Sequence, residues 1–213
     1  MRICVLADDV IKLEFLQKGV PGGTEIMWAD TMKVFYSVSD IDVYFDLLFA
    51  DDPERMAGLL RLKGKPVFIN SINGSLAESD KSLVRINAWP TMLNRKTTEI
   101  AIADPSKEKI VSDLFSELKW TYQLVPDVPG MITPRVISMI VNEAYYTLEQ
   151  EVSTKEEIDI AMKLGTNYPL GPFEWSEKIG LKNIYSLLNR LSLTEERYQP
   201  CELLKREAKL INP

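Results

Sequence analysis

Apolar and polar positions alternate differently in the two parts of the chain. In the first 125 residues, short runs rich in Val, Ile, Leu, Phe and Tyr are bounded by Asp, Gly or Pro, a pattern typical of buried strands. We predict strands at residues 2–7, 25–29, 43–49, 66–69 and 122–125. Stretches with helical spacing lie between them, at residues 10–18, 53–62 and 106–118. This strand–helix alternation predicts an α/β domain with a parallel sheet covered by helices.

The pattern becomes helical after a linker that contains Pro126, Pro129 and Gly130. Beyond it, apolar residues recur at helical spacing between positions 136 and 148. Further helices are predicted to end near 164, to begin at Pro172, and to cover residues 183–191 and 195–210. The sequence therefore predicts two domains, residues 1–125 with an α/β fold and residues 126–213 with an all-α fold.

Two overlapping capping boxes mark the start of one of these helices. Ser153 has a Glu three residues later at 156, and Thr154 has one at 157. Both pairs match the pattern in which a hydroxyl caps the helix and a carboxylate returns to the cap backbone. The sequence leaves open which pair is used.

Composition excludes several classes of function. The chain has no histidine, so no mechanism can use an imidazole base or ligand. Its net charge of −6 disfavours nucleic acid as a partner, and its two cysteines have no zinc-ligand spacing, so no metal is expected. The opening apolar run ends at Asp8, too early for a signal peptide core or a membrane span. We expect a cytoplasmic protein with reduced thiols and no membrane partner.

A set of motifs after residue 126 carries a family resemblance. Residues 127–135, DVPGMITPR, resemble a D-x-P-G-F-I-x-N-R junction motif, and residues 158–165, IDIAMKLG, are followed by YPLGPFE at 168–174. A late RYQP at 197–200 precedes paired leucines. These motifs cover residues 127–206. Their order and spacing resemble those of the 3-hydroxyacyl-CoA dehydrogenases. A weaker match continues upstream, where residues 70–76, NSINGSL, resemble that family's S-N-T-S-S-L loop.

The resemblance implies a fold, an activity and a partner. It implies a Rossmann-like domain for binding NAD, followed by a helical C-terminal domain through which two copies form a homodimer. It also implies oxidation of a 3-hydroxyacyl-CoA thioester. The stretch after Asp30 lacks several helical turns of the family pattern, and the final G-x-G-F-Y-x-Y element does not occur. We therefore expect a shortened, divergent member with a truncated Rossmann-like sheet.

Aligning the family's catalytic positions shows a broken acid–base pair. The position of the family's histidine base holds Asn87, whereas the carboxylate twelve residues later is retained as Glu99. An amide neither accepts nor releases a proton near neutral pH, and general acid–base catalysis typically contributes about 10²–10⁴-fold to a rate. The resemblance assigns Ser71, Asn73 and Ser75 to the substrate loop. Gly74 replaces a family serine there, and Pro134 replaces the asparagine of the junction motif.

The cofactor fingerprint is mostly absent. A dinucleotide-binding first turn needs G-x-G-x-x-G so that backbone N–H groups approach the pyrophosphate. Here Ala7, Asp9 and Lys12 fall at the three glycine positions. Asp30, which ends the second strand, matches the acidic residue that would hold the adenosine ribose. NAD is thus implied by resemblance, and the residues of the turn argue against its binding.

Three functions remain open at this stage. The first is a 3-hydroxyacyl-CoA dehydrogenase homologue with reduced or lost activity that still binds acyl-CoA. The second is a non-catalytic interaction or regulatory subunit that uses the dimer surface. The third is an enzyme with a replacement base, for example Glu99.

Overall fold

A computed structural model describes residues 1–62 and 64–210. The chain forms two compact units, Met1–Met131 and Ile132–Pro213. The predicted boundary at 125/126 lies six residues before this division, because the junction segment up to Met131 folds with the first unit. In the described residues no helix is both long and apolar enough to cross a membrane.

The first unit is built on one seven-stranded sheet. Its strands are β1 (Arg2–Leu6), β2 (Glu25–Ala29), β3 (Val43–Asp46), β4 (Val67–Ile69), β5 (Val84–Ile86), β6 (Thr97–Ala101) and β7 (Thr121–Leu124). Their spatial order is β2-β1-β3-β4-β5-β6-β7. All neighbours are parallel except β5 and β6. The predicted Rossmann-like α/β fold is confirmed, with one antiparallel pair added to the parallel sheet.

Four helices connect these strands. They are α1 (Asp9–Lys18), α2 (Met32–Ser37), α3 (Pro53–Leu59) and α4 (Lys107–Leu118). The sequence predicted all but α2, which has only six residues and therefore shows little periodicity. It also missed β5 and β6. A charged Arg85 interrupts the apolar run of β5, and β6 begins with two polar threonines.

The sheet is apolar on both faces because helices cover each of them. Ile3 and Val5 of β1 belong to one core cluster, and the alternating residues Cys4 and Leu6 belong to the other. This alternation follows from the two-residue period of a strand. Phe15 of α1 and several other aromatic rings fill the first cluster.

The second unit consists of helices only, in agreement with the prediction. They are α5 (Thr133–Glu149), α6 (Lys155–Thr166), α7 (Pro172–Ile179), α8 (Leu181–Ser192) and α9 (Glu202–Leu210). The single helix predicted over residues 195–210 is wrong. A 3₁₀ turn at Glu196–Tyr198 is followed by Pro200, which interrupts the helix, and α9 begins two residues later.

The motif residues between α6 and α7 have structural roles. The Asp159 carboxylate of α6 accepts hydrogen bonds from the N–H groups of Phe173 (2.8 Å) and Glu174 (3.2 Å) at the start of α7. A Cβ at Gly171 would lie 2.2 Å from an oxygen of the same carboxylate. The Asp159 carboxylate and the absence of a side chain at Gly171 therefore allow α7 to pack closely onto α6.

Candidate functional site

The carboxyl ends of the parallel strands gather polar side chains at one edge of the first unit. Asp8, Asp46, Asn70 and Asn87 follow or end β1, β3, β4 and β5, respectively. Because β6 runs antiparallel to β5, its amino end returns to this edge and brings Glu99 with it. Open α/β sheets bind their ligands at this edge.

Asn87 and Glu99 are in contact there. The Asn87 side-chain amide donates to Glu99 Oε2 over 3.4 Å, and its Oδ1 accepts from the N–H of Trp89 over 3.3 Å. The backbone N–H of Asn87 also donates to the Glu99 carbonyl at 3.0 Å. Both side chains are buried, with 3% and 8% exposure. The twelve-residue spacing in the sequence thus corresponds to a direct contact between an amide and a carboxylate.

The predicted substrate loop joins β4 to β5 beside this pair. Asn70, at its start, accepts from the N–H of Ala88 at 3.0 Å and donates to the Leu47 carbonyl at 3.2 Å. The sequence assigned Ser71, Asn73 and Ser75 to this loop, and all three are partly exposed. Asn73 Oδ1 is shielded from solvent and has no hydrogen-bond partner among the described residues. A buried acceptor of this kind favours a ligand that brings a donor.

A buried arginine holds this loop in place. Arg85 of β5 is fully buried, and its Nε donates to the Ser71 carbonyl (2.6 Å) while Nη2 donates to the Ile72 carbonyl (3.2 Å). Its Nη1 donates to Asp127 Oδ1 at 2.8 Å. Burial lowers the pKa of Arg85, and the Asp127 carboxylate opposes that shift.

Asp127, the first residue of the junction motif, completes the same network. Its carboxylate accepts from the N–H groups of Leu76 (2.9 Å) and Ala77 (3.2 Å). Gly130 N–H also donates to the Ile72 carbonyl at 2.8 Å. Both ends of the loop are therefore attached to the junction segment. Sequence reasoning missed Arg85 as part of this site, although one charge inside an apolar strand was a usable signal.

The turn between β1 and α1 does not fit a dinucleotide. Asp8 caps α1, and its Oδ1 accepts from the N–H of Ile11 at 2.9 Å. Asp9 adds a second carboxylate to the first turn. These charges stabilise the positive end of the helix dipole, the same end that receives the pyrophosphate in dinucleotide-binding folds. Lys12 lies over the Trp28 ring, 5.0 Å from its centroid.

Asp30, which the resemblance assigned to the ribose position, is exposed and directly follows β2. Four strand spacings separate β2 from β5, so Asp30 lies roughly 19 Å across the sheet from the Asn87–Glu99 pair.

Asp46 at the end of β3 is fully buried and pairs with Arg55 of α3. The Arg55 Nε donates to Asp46 Oδ2 at 2.8 Å. Burial raises the pKa of Asp46, and the bonds from Arg55 partly offset the rise.

No alternative nucleophile or metal centre is evident in the described part of the chain. Burial raises the pKa of Cys4 to about 11 and raises the pKa of Cys201, so both thiols stay protonated near neutral pH. Residues 1–62 and 64–210 contain no group of three acidic or cysteine side chains arranged to hold a metal ion. The arrangement presents polar groups at the edge of the sheet, and the Asn87 amide among them cannot take up a proton near neutral pH.

Comparison with known proteins finds similarity to 3-hydroxyacyl-CoA dehydrogenases. Residues 130–210 match the family model described as 3-hydroxyacyl-CoA dehydrogenase, C-terminal domain. The 3-hydroxyadipyl-CoA dehydrogenase of Escherichia coli K12 is 40% identical over 109 residues, which are 50% of this chain and 23% of that protein. The 3-hydroxybutyryl-CoA dehydrogenase of Clostridioides difficile is 29% identical over 160 residues, 73% of this chain and 56% of that protein.

Solved structures extend the likeness to the first unit. The crystal structure of (S)-3-hydroxybutyryl-CoA dehydrogenase from Ralstonia eutropha superposes with a TM-score of 0.71, covering 98% of this chain and 93% of that chain. At 15% identity this match concerns the fold alone. The chain matches less than two thirds of the length of the two curated relatives above.

Proposed function

Because the chain belongs to the 3-hydroxyacyl-CoA dehydrogenase family, we propose that it binds 3-hydroxyacyl-CoA thioesters while its NAD-dependent hydride transfer is greatly reduced or lost. The contact of Asn87 with Glu99 carries this proposal. The Asn87 amide cannot take up the proton of a 3-hydroxyl near neutral pH, so the position of the family's base has no group that can act as one.

Loss of cofactor affinity belongs to the same proposal. The Asp8 carboxylate already accepts from the N-terminal amide that a phosphate oxygen would need, and Asp9 adds a repulsive charge. Only Asp30 remains from the fingerprint. The family's NAD chemistry would be a hydride transfer, and this chain's residues do not provide the turn that holds the dinucleotide.

The proposed binding of 3-hydroxyacyl-CoA thioesters depends on the loop between β4 and β5. Asn73 Oδ1 is a buried acceptor with no partner in the described chain, and a 3-hydroxyl group is a donor. A 3-oxo group is only an acceptor and cannot form that bond. The loop therefore favours the hydroxy form over the oxo form of the same thioester.

Titration calorimetry with 3-hydroxybutyryl-CoA and acetoacetyl-CoA tests the proposed thioester binding. We expect the hydroxy thioester to bind more tightly, and Asn73→Ala to weaken it about fivefold while leaving the oxo thioester unchanged, as for loss of one hydrogen bond. Asn94→Ala, which removes a surface amide bonded to Gln17, is the matched control. Equal weakening of both ligands, or no binding of either, contradicts the proposal.

A turnover assay separates this function from that of an enzyme with a replacement base. We expect no oxidation of 3-hydroxybutyryl-CoA in the presence of NAD above the buffer rate. Were turnover found, its loss in Glu99→Gln would identify Glu99 as the base and overturn the account of a broken pair.

We also propose that the protein forms a homodimer through its helical unit, in the cytoplasm, where its thiols remain reduced. Ile160 (53% exposed) and Leu164 (82%) lie one turn apart on α6, so they present an apolar stripe. Ile160→Glu with Leu164→Glu is expected to give a monomer in sedimentation experiments. Leu16→Glu, a similarly exposed leucine on α1, is expected to remain dimeric. A wild-type protein that sediments as a monomer contradicts the proposed dimer. A wild-type protein that associates only with itself argues against a role as the regulatory subunit of another enzyme.

A further inference from the structure

A pocket of about 740 Å³ opens at the edge of the sheet opposite the candidate site. It lies where β4 and β5 begin, at Pro66–Val67 and Ser82–Leu83, whereas Asn70 and Asn87 follow the ends of the same strands. Its volume falls within the range of roughly 300–1,000 Å³ that is usual for small-molecule sites. All of its lining residues belong to the first unit.

The inner wall of the pocket is apolar. Leu59, Val67 and Leu83 line it, and each is at most 3% exposed and part of the core cluster on that face of the sheet. Leu60 and Ile110 continue the apolar wall outward and are 38% and 37% exposed. Two of the chain's exposed large apolar residues therefore lie at the same opening.

The charge at the opening has one sign. Lys65, which is exposed, and Lys107, which is partly exposed, line the pocket, and no carboxylate occurs among the described lining residues. Lys107 is the first residue of α4, a helix of 12 residues, and Ile110 follows it on the same face. The positive end of this helix dipole adds to the two ammonium charges.

From this combination we infer a second ligand site, which takes an unbranched alkanoate with its apolar chain against Leu59, Val67 and Leu83 and its carboxylate between Lys65 and Lys107. The apolar wall favours an apolar body, and the two lysines among the described lining residues favour an anionic head. The site is separate from the Asn87–Glu99 pair, and the inference is independent of the function proposed above.

Calorimetry of the full chain with hexanoate, octanoate and decanoate tests the apolar part. Affinity is expected to rise by up to about fourfold for each added methylene, with one ligand bound per chain. Ile110→Glu, at an exposed position of the wall, is expected to abolish binding without disturbing the core. Decan-1-ol, which has the same chain without the charge, is expected to bind at least about tenfold more weakly than decanoate.

The charged part is tested by removing the two ammonium groups. Lys65→Ala with Lys107→Ala is expected to weaken decanoate at least about tenfold. Lys109→Ala removes one lysine of α4 that pairs with Asp113 and does not line the pocket, and it should leave affinity unchanged. The inference is wrong if decanoate does not bind, if the lysine pair and Ile110→Glu have no effect, or if 3-hydroxybutyryl-CoA competes with decanoate for the same site.

Discussion

At residue 87 an amide side chain lies against the carboxylate of Glu99 at the edge of the sheet. The Asn87 amide donates to Glu99 and accepts from the N–H of Trp89, so both of its polar atoms are engaged. We expect an imidazole at this position to direct one nitrogen at the same carboxylate.

Asn87→His tests whether that geometry is retained. The natural chain has no histidine, so the variant contains one imidazole, and its titration is readable by NMR without overlap. We expect the pKa of this imidazole to fall when Glu99→Gln is added, because a nearby carboxylate favours the charged form. The same imidazole pKa in both variants would show that Glu99 does not act on this position.

Arg85 is the residue whose loss should cost the most stability. Its side chain is fully buried and its partner Asp127 nearly so, and removing one member of a buried pair typically costs about 3–5 kcal/mol. Arg85→Met should lower the free energy of unfolding by this amount in urea titrations. Arg2→Met, which breaks the exposed pair with Glu25, should cost less than about 1 kcal/mol. Equal effects would contradict the network described for the loop.

Among the elements, those with strong local patterns were predictable. The strands β1, β2, β4 and β7 agree with the prediction to within about one residue at each end, and Pro172 begins α7 as expected. The elements β5 and β6 were missed because their place in the sheet depends on pairing with each other, which no local pattern records. The helix predicted over 195–210 failed because apolar spacing continued across Pro200, whose ring cannot continue a helix.

The start of α6 resolves the choice between the two capping boxes. Thr154 Oγ1 accepts from the N–H of Glu157, and the Glu157 carboxylate returns to the Thr154 N–H, both at 3.2 Å. Thr154→Ala should therefore lower the free energy of unfolding by about 1 kcal/mol. Ser153→Ala removes only a hydroxyl that donates to Glu157, so its cost in the same titration should be smaller. The reverse order would assign the cap to Ser153.

The end of α1 predicts a pH dependence. Burial lowers the pKa of Lys18 to about 8, and its Nζ donates to the Arg95 carbonyl at 2.6 Å. Between pH 8 and the ordinary lysine value near 10.4, the unfolded chain binds this proton and the folded chain does not, so stability rises with pH. Relative to Lys18→Met, the wild type should gain stability from pH 7.5 to 9.5 in urea titrations. A constant difference would show that Lys18 keeps its ordinary pKa.

For the whole molecule, the sequence predicted the fold and brought Asn87 and Glu99 together, and the structure shows these two side chains in contact. Helical spacing and motif order after residue 126 predicted the helical unit, and the resemblance to the family's catalytic positions predicted the Asn87–Glu99 pair. The attachment of the loop to Arg85 and Asp127 could not be predicted, because these residues are 42 positions apart and meet only in the folded sheet. The pocket at the opposite edge has no sequence signature for the same reason.

We propose that this chain keeps the dehydrogenase fold without the cofactor site. Titration calorimetry of the purified chain with NADH, with and without acetoacetyl-CoA, tests it most directly. We predict no NADH binding up to millimolar concentrations under either condition, because Asp8 and Asp9 occupy the helix end that a pyrophosphate requires. Binding with a micromolar Kd would contradict this account of the turn and would make the chain a candidate for active hydride transfer.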